Sequence, residues 1–178
     1  MKKVLLIAAI AVFGFTSVQA QEGGIKLGIN VGLPVGDAGD VSSFGAALDF
    51  AYLFTVADSF QVGPATGYSH YFGKTETFMG IDIEYEDIQF IPLAASARFS
   101  LDTLFFGADL GYAIGIGDGM DGGFYYRPKI GYNFGPLSLI ASYTGVSIAK
   151  STETFMGVEI TTGGGTFSAI TLGAEFSF

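Results

Sequence analysis

Apolar and polar residues alternate along most of this chain with a period of two, a pattern that predicts β-strands. Between Ile25 and Leu33 every odd-numbered position is apolar, while the even-numbered positions hold lysine, glycine and asparagine. Between Leu104 and Ile116 the even-numbered positions are bulky or apolar, and the odd-numbered positions are mostly glycine, alanine and aspartate. The same pattern predicts eight strands, at residues 25–33, 44–54, 60–72, 91–101, 104–116, 124–134, 137–148 and 166–178.

The links between these strands alternate in length. Tight turns are predicted near residues 57–58, 102–103 and 135–136, whereas the links at 34–43, 74–87, 117–123 and 150–165 are long and polar. A strand of about 11 residues, rising ~3.3 Å per residue and tilted by about 45°, climbs roughly 26 Å, close to the ~25 Å apolar band of membrane barrels. The sequence therefore predicts an all-β fold, an eight-stranded antiparallel up-and-down transmembrane β-barrel.

The alternation alone does not say which face is enclosed, because a soluble lipocalin-like barrel also alternates, with its apolar face inward. Side-chain size favours the opposite arrangement. One face carries bulky phenylalanine, tyrosine, leucine and isoleucine, and the other is largely glycine, alanine, serine and scattered charges. Since an eight-stranded barrel has little interior space, we expect the bulky face to meet lipid and the small-residue face to line the lumen.

The charged residues of the strands support this orientation, because they fall on the small-residue face. A lysine or arginine facing lipid at mid-depth would cost about 2–4 kcal/mol. We therefore predict a lumen ion network of four cations and three carboxylates: Lys26, Asp49, Arg98, Asp109, Arg127, Lys129 and Glu175. The network is expected to plug and stiffen the barrel. The alternative is a narrow conduit for small or apolar solutes.

The first twenty residues differ from the rest. Met1 to Lys3 is basic, residues 4–15 are an unbroken apolar run, and small residues precede Gln21. This is the pattern of a secretory signal peptide cleaved between Ala20 and Gln21. An apolar run of about 12 residues spans only ~18 Å of a ~30 Å membrane core, which makes a retained membrane helix a poor alternative. Residues 21–178 form the predicted barrel domain.

Composition narrows the chemistry further. The chain has no cysteine, which excludes disulfides and thiolate chemistry. Its formal net charge of −9 argues against nucleic acid as a partner. Acidic residues cluster in the long links, at 82–87 and 118–121 among others, but their spacing matches no defined calcium loop. We expect a solvated acidic rim, with no metal site and no cofactor.

A nine-residue segment occurs twice at an offset of 77 residues. TETFMGIDI at 75–83 recurs as TETFMGVEI at 152–160, and ARFSL at 97–101 aligns with AEFSF at 174–178. Four strands with their links make that period, so we expect a four-strand duplication whose two copies lie on opposite sides of the rim. The copies are either ligand-contacting hairpins or extensions of the strands. Strand propensity alone explains their composition, which favours the second interpretation.

Residues suited to catalysis are scarce. His70, beside Ser69, is the single histidine of the chain. The sequence identifies no positioned acid, so we expect no catalytic residue and no enzymatic activity.

The leader ending Val18-Gln19-Ala20, the alternating strands and the terminal run from Glu175 to Phe178 resemble a known family. This family is the small eight-stranded outer-membrane barrels of Gram-negative bacteria, a porin-like group with OmpX, OmpW and OmpA-barrel types. The resemblance implies residence in the cell outer membrane, contact with its lipid, and insertion by the outer-membrane assembly machinery, with Phe176 and Phe178 as the assembly signal. The chain has no tryptophan, so the aromatic girdles at the membrane interfaces are expected to use Phe44, Phe54, Tyr68, Phe72, Phe124, Phe134 and Phe178.

From these features we expect a monomeric, non-enzymatic integral outer-membrane β-barrel with a structural or surface-interaction role. The narrow conduit remains as one alternative. The resemblance implies another, because some barrels of this family are lipid hydrolases that use a histidine, a serine and an acid on the outer face; in this chain the histidine would be His70.

Overall fold

Strands account for most of the chain. The computed structural model describes residues 23–178 except 79–80, 118–120 and 156–157, so the predicted leader and its cleavage between Ala20 and Gln21 lie outside the described residues. The elements are β1 (Gly23–Val35), α1 (Asp37–Val41), β2 (Ser42–Ala57), β3 (Phe60–Gly73), β4 (Thr75–Phe78), β5 (Ile81–Glu84), β6 (Ile88–Leu101), β7 (Leu104–Ile116), β8 (Gly123–Phe134), β9 (Leu137–Phe155) and β10 (Val158–Ser177).

Eight of these strands close into one barrel, in the order β1, β10, β9, β8, β7, β6, β3, β2, with β2 pairing back to β1. Each neighbouring pair is antiparallel. Closure leaves the barrel without a free edge, so its backbone groups are hydrogen-bonded without help from water, as a membrane requires. The predicted eight-stranded antiparallel transmembrane β-barrel is confirmed.

The two ends of the barrel differ in their connections. At one end, the turn end, two-residue turns join β2 to β3, β6 to β7 and β8 to β9, and the start of β1 pairs there with the end of β10. At the other, the loop end, longer links carry α1 and the β4–β5 hairpin. Within the described residues no helix is long and apolar enough to cross a membrane.

The strands near the repeated segment depart from the sequence prediction in two ways. The first copy forms a separate two-stranded sheet, β4 with β5, because the strand pattern is interrupted at Lys74 and again at residues 85–87. The second copy instead lengthens β9 and β10, which stay paired beyond the predicted ends at residues 148 and 166. The second copy therefore extends two barrel strands, as the favoured interpretation expected, whereas the first copy forms a hairpin that is not part of the barrel sheet.

The bulky face of the strands forms the outer wall of the barrel. Leu110 on β7 is 53% exposed, whereas its neighbour Asp109 is 3% exposed inside the lumen. Ile130 and Lys129 on β8 show the same contrast, at 43% and 9%. A wall this apolar would form a very large exposed patch in water, but it suits hydrocarbon. The predicted orientation of the strands is confirmed.

Aromatic side chains gather at both ends of this wall. At the loop end the rings of Phe44 and Phe72 stack with centroids 4.5 Å apart. At the turn end the rings of Tyr132 and Phe134 lie 4.6 Å apart. The rings of Phe176 and Phe178 are 4.8 Å apart, again on the outer face at the turn end. Such paired belts of aromatic rings are typical of the two membrane interfaces.

The side chains on the lumen face are larger than the sequence pattern predicts. Besides small and charged residues, the described part of the lumen encloses seven large apolar or aromatic side chains: Leu53, Tyr71, Phe90, Phe105, Tyr125, Ile140 and Phe167. The expectation of a largely small-residue interior was therefore incomplete, because glycines on neighbouring strands make room for rings. The Tyr71 ring occupies the space that a Cβ at Gly45 would fill, only 2.3 Å from the ideal Cβ position.

Candidate functional site: the filled lumen and the loop-end rim

An ion pair crosses the lumen nearest the turn end. Arg98 on β6 and Glu175 on β10 are four strands apart in the barrel, yet their side chains meet in a bidentate contact of 2.8 and 2.9 Å. Both residues are almost fully buried. The guanidinium carbon of Arg98 also lies 3.9 Å from the ring centroid of Phe105. Bidentate geometry and the aromatic face together favour a charged arginine at this buried position.

A second pair lies higher in the lumen and is part of a hydrogen-bonded cluster. Arg127 Nη1 is 2.7 Å from Asp49 Oδ2. The same guanidinium donates to Ser142 at 3.0 Å and to Asn30 Oδ1 at 3.2 Å. The amide of Asn30 in turn donates to Asp49 at 2.7 Å. Asn30 thus bridges the two charges, a role that was not predicted from the sequence.

Lys129 and Asp109 form the third pair. The Lys129 ammonium lies 2.7 and 2.9 Å from the two carboxylate oxygens of Asp109 and 3.4 Å from the Ser96 hydroxyl. Lys26 differs from the other three cations, because its ammonium donates to the Ser177 hydroxyl at 2.7 Å and meets no carboxylate among the described residues. The structure therefore brings six of the seven predicted network residues into three ion pairs.

Aromatic rings fill the lumen above the ions. Tyr71 and Phe90 contact Phe167, with ring centroids 4.5 and 5.7 Å from it. The helix α1 folds over the mouth and buries Ala38 against this group. We call the group the aromatic plug; its members are Ala38, Tyr71, Phe90, Ala113, Tyr125, Val146, Phe167 and Ala169.

Lys74 fastens α1 to the barrel. Its backbone N–H donates to Val41 O at 2.9 Å, and its ammonium donates to Gly39 O. Both acceptors lie in α1, so the helix is held at the mouth by backbone and side chain of one residue. Because Ala38 directly precedes the anchored Gly39, this contact also holds the top of the aromatic plug in place.

Little space is left between the ion pairs. The central cavity, lined by Asp49, Asp109, Arg127 and Lys129 among others, measures about 20 Å³. A cavity of that size holds about one water molecule. The lumen is therefore packed at mid-depth with charges that contact one another, and it is closed above by aromatic rings.

His70 lies at the loop-end rim on the outer face, within a small polar cluster. Its Nε2 is 2.9 Å from Asp87 Oδ2, and its Nδ1 is 3.2 Å from the Tyr68 hydroxyl, which donates to Gln89 at 2.8 Å. The His70 and Phe72 rings lie 4.4 Å apart, which joins the cluster to the aromatic girdle. Both ring nitrogens are thus engaged.

Asp87 anchors the chain as it returns from the β4–β5 hairpin to β6. Its Oδ1 accepts a 2.9 Å hydrogen bond from the Gly73 N–H. That hydrogen bond, together with the contact to His70, lowers the pKa of Asp87. The carboxylate therefore ties the end of β3 to the start of β6 at neutral pH.

Solved structures provide a comparison for this architecture. The chain is similar to the Yersinia pestis outer membrane protein Ail in a phospholipid bilayer nanodisc, at 15% identity and a TM-score of 0.56 over 89% of this chain and 100% of that one. It is also similar to Neisserial surface protein A, at 17% identity and a TM-score of 0.51 over 90% of this chain and 100% of that one. The chain has the fold of a small outer-membrane β-barrel. No family model matches the sequence. A search of curated proteins finds no match either.

Two observations at the loop-end rim bear on the hydrolase alternative, one in its favour and one against it. A positioned acid does exist, since Asp87 contacts His70, although it lies 17 residues away and could not be assigned from sequence. Ser69, however, occupies the opposite face of β3 from His70, because successive residues of a strand point to opposite sides. The adjacent serine therefore does not contribute a nucleophile to the His70 cluster.

The acidic residues of the loop end form no recognisable cation site. In the described part of the barrel, no group of three or more histidine, aspartate or glutamate side chains is placed to hold a metal ion. The Thr77 hydroxyl donates to Asp82 at 2.6 Å across the β4–β5 hairpin, so this carboxylate forms a hydrogen bond between the two strands of the hairpin.

Proposed function

We propose that this chain is an integral outer-membrane protein that acts without catalysis, as a rigid barrel that contributes to the membrane wall and contacts other surfaces through its loop end. In this proposal the leader directs export, the assembly machinery reads Phe176 and Phe178, and the barrel is a monomer in outer-membrane lipid. The loop end then faces outward from the cell and the turn end faces the periplasm.

The filled lumen is the observation that carries this proposal. Three ion pairs within the lumen and the aromatic plug leave a central space of about 20 Å³, so the interior supports rigidity better than transport. Structure beyond the barrel wall is found instead at the loop end, where β9 and β10 remain paired past residue 150 and the β4–β5 hairpin forms its own sheet. Contact with other surfaces is therefore best assigned to this end.

Cells lacking the chain provide the test. They are complemented with wild-type protein, with a variant in which residues 75–86 are replaced by a short turn, or with His70→Asn. The shortened variant keeps Asp87 and every barrel strand, so it is expected to fold and to preserve envelope permeability while losing surface attachment. H70N is expected to leave the lipid composition unchanged. If the shortened variant restores attachment fully, the role assigned to the hairpin is wrong.

Recording the purified barrel in planar bilayers separates the proposal from the conduit alternative. We expect no steady single-channel conductance from the wild-type protein. Reproducible channels of uniform conductance would contradict a filled lumen. A lipid profile that changes in the H70N strain would contradict the non-enzymatic assignment.

A further inference from the structure

A polar vestibule opens at the turn end of the lumen, below the Arg98–Glu175 pair. It measures about 270 Å³, equivalent to roughly nine water molecules at ~30 Å³ each. The hydroxyl groups of Ser59, Ser100 and Ser177 line it, together with the amide of Asn133. Unlike the centre of the lumen, this space is large enough for a small solute.

Among the described residues, Lys26 is the one cation of the lumen network without an ion-pair partner, and it lines the vestibule. The lumen network contains four cations and three carboxylates, and every carboxylate is already paired with another cation. Lys26 is half-buried, and within residues 23–178 as described no carboxylate oxygen approaches its ammonium to 4.0 Å. A cation withdrawn from water is favourable when a counter-charge accompanies it. An anion bound in the vestibule would place such a counter-charge in direct contact with the Lys26 ammonium.

Several hydrogen-bond donors in the vestibule are uncommitted. Asn133 uses its Oδ1 to accept from Ser138, at 2.7 Å, which leaves its amide nitrogen available. Ser177 accepts from Lys26, so its own hydroxyl hydrogen is available as well. Arg98, only 3% exposed, contributes a buried Nε–H that has no partner among the described residues. The carboxylate of Asp58 also lines the vestibule, but it lies in the exposed β2–β3 turn.

We propose that the turn-end vestibule is a binding site for a phosphate group. Lys26 provides the charge, and Ser177, Asn133 and the neighbouring serine hydroxyls donate to its oxygens. Several donors around one cation suit an anion that has several strong acceptor oxygens. The phosphate comes either from a free anion in the periplasm or from the headgroup of a phospholipid at the inner surface of the membrane. This site lies at the opposite end of the barrel from the loop-end surface to which contact with other surfaces was assigned above.

The test uses the full barrel refolded in dodecyl maltoside micelles, which contain no phosphorus. Inorganic phosphate is titrated at constant ionic strength, and the backbone amide signals of Ser100 and Ser177 and the side-chain amide of Asn133 are followed by NMR. We expect saturable shifts with one phosphate per chain. A parallel titration with dihexanoyl phosphatidylglycerol distinguishes the two sources. Saturation by either ligand supports the site and identifies its source, and saturation by neither overturns it.

Two variants and a matched control locate the binding. Lys26→Met is expected to weaken binding at least about tenfold, since it removes a charged hydrogen-bond donor. Asn133→Asp keeps the acceptor that Ser138 uses but adds a negative charge, and is expected to abolish saturation. Lys74→Met removes the same charge at the opposite end of the barrel and should bind like wild type. Heat-modifiable gel migration verifies that each variant is folded. Equal affinity in K26M and wild type would overturn the proposal.

Discussion

Glu175→Gln tests whether the ion pair across the lumen is required for stability. The substitution keeps the size of the side chain but removes the charge that Arg98 contacts at 2.8 and 2.9 Å. Both residues are almost fully excluded from solvent, so the substitution leaves the guanidinium without its charged partner at a buried position. Breaking one side of a buried pair typically costs about 3–5 kcal/mol. The unfolding equilibrium should therefore shift by roughly a hundredfold to several thousandfold.

Urea unfolding in lipid vesicles measures this cost. The fraction folded is read from heat-modifiable gel migration and from the fluorescence of the nine tyrosines, because the chain has no tryptophan. Glu84→Gln, on the exposed strand β5, is the matched control and should change stability by no more than about 0.5 kcal/mol. The double variant R98M/E175M removes both charges and should recover most of the loss. A cost below about 1 kcal/mol for E175Q, equal to the control, would refute the reasoning.

Three further predictions concern the wall, the plug and the rim. Leu110→Arg places a charge in the lipid-facing band and should destabilise the barrel by about 2–4 kcal/mol in vesicles, a prediction contradicted by unchanged urea unfolding. Phe167→Ala removes the central ring of the aromatic plug and should cost about 3–5 kcal/mol, with Phe44→Ala on the outer wall as a comparison that costs less. The pKa of Asp87 is lowered in the folded state, so its hydrogen bond from the Gly73 N–H should persist at all pH values above the unfolded pKa of about 3.9. This hydrogen bond should be lost only as the pH falls through the lower folded pKa. An NMR titration of the Gly73 amide with a midpoint above pH 4.5 would contradict this prediction.

Most of the barrel could be predicted from the sequence because a strand has only two faces. Once Leu110 is assigned to the outer wall, Asp109 must face inward, and the same parity places the charges of the six barrel strands that carry the lumen network. Strand ends were less predictable. The alternation weakens in the loop-end parts of β9 and β10, which are the end of β9 and the start of β10. The two strands stay paired there, because hydrogen bonding between adjacent strands of a hairpin continues without a buried face. Glycines 163 to 165 hid this continuation in the sequence.

The ion network could be predicted as a set but not as pairs. Arg127 and Asp49 are 78 residues apart, and Arg98 and Glu175 are 77 apart. Which cation reaches which carboxylate depends on barrel closure and strand stagger, which the period-two pattern does not contain. The offset of 77 in the repeated segments was the available signal for the second pair. It placed residues 98 and 175 at equivalent positions of two four-strand halves, which lie across the lumen from each other.

The aromatic residues of the lumen show why a rule based on the size of one face is insufficient. Tyr71 and Phe105 both point inward, against the expectation that bulky residues face lipid. Each has a glycine on the adjacent strand: the ideal Cβ at Gly45 would lie 2.3 Å from the Tyr71 ring, and that at Gly131 would lie 2.2 Å from the Phe105 ring. Whether a large side chain fits in the lumen therefore depends on the size of its partner on the neighbouring strand as well as on its own face. Alanine at Gly131 would displace Phe105 from beneath Arg98, so the small residues of the lumen also determine how the charges are held.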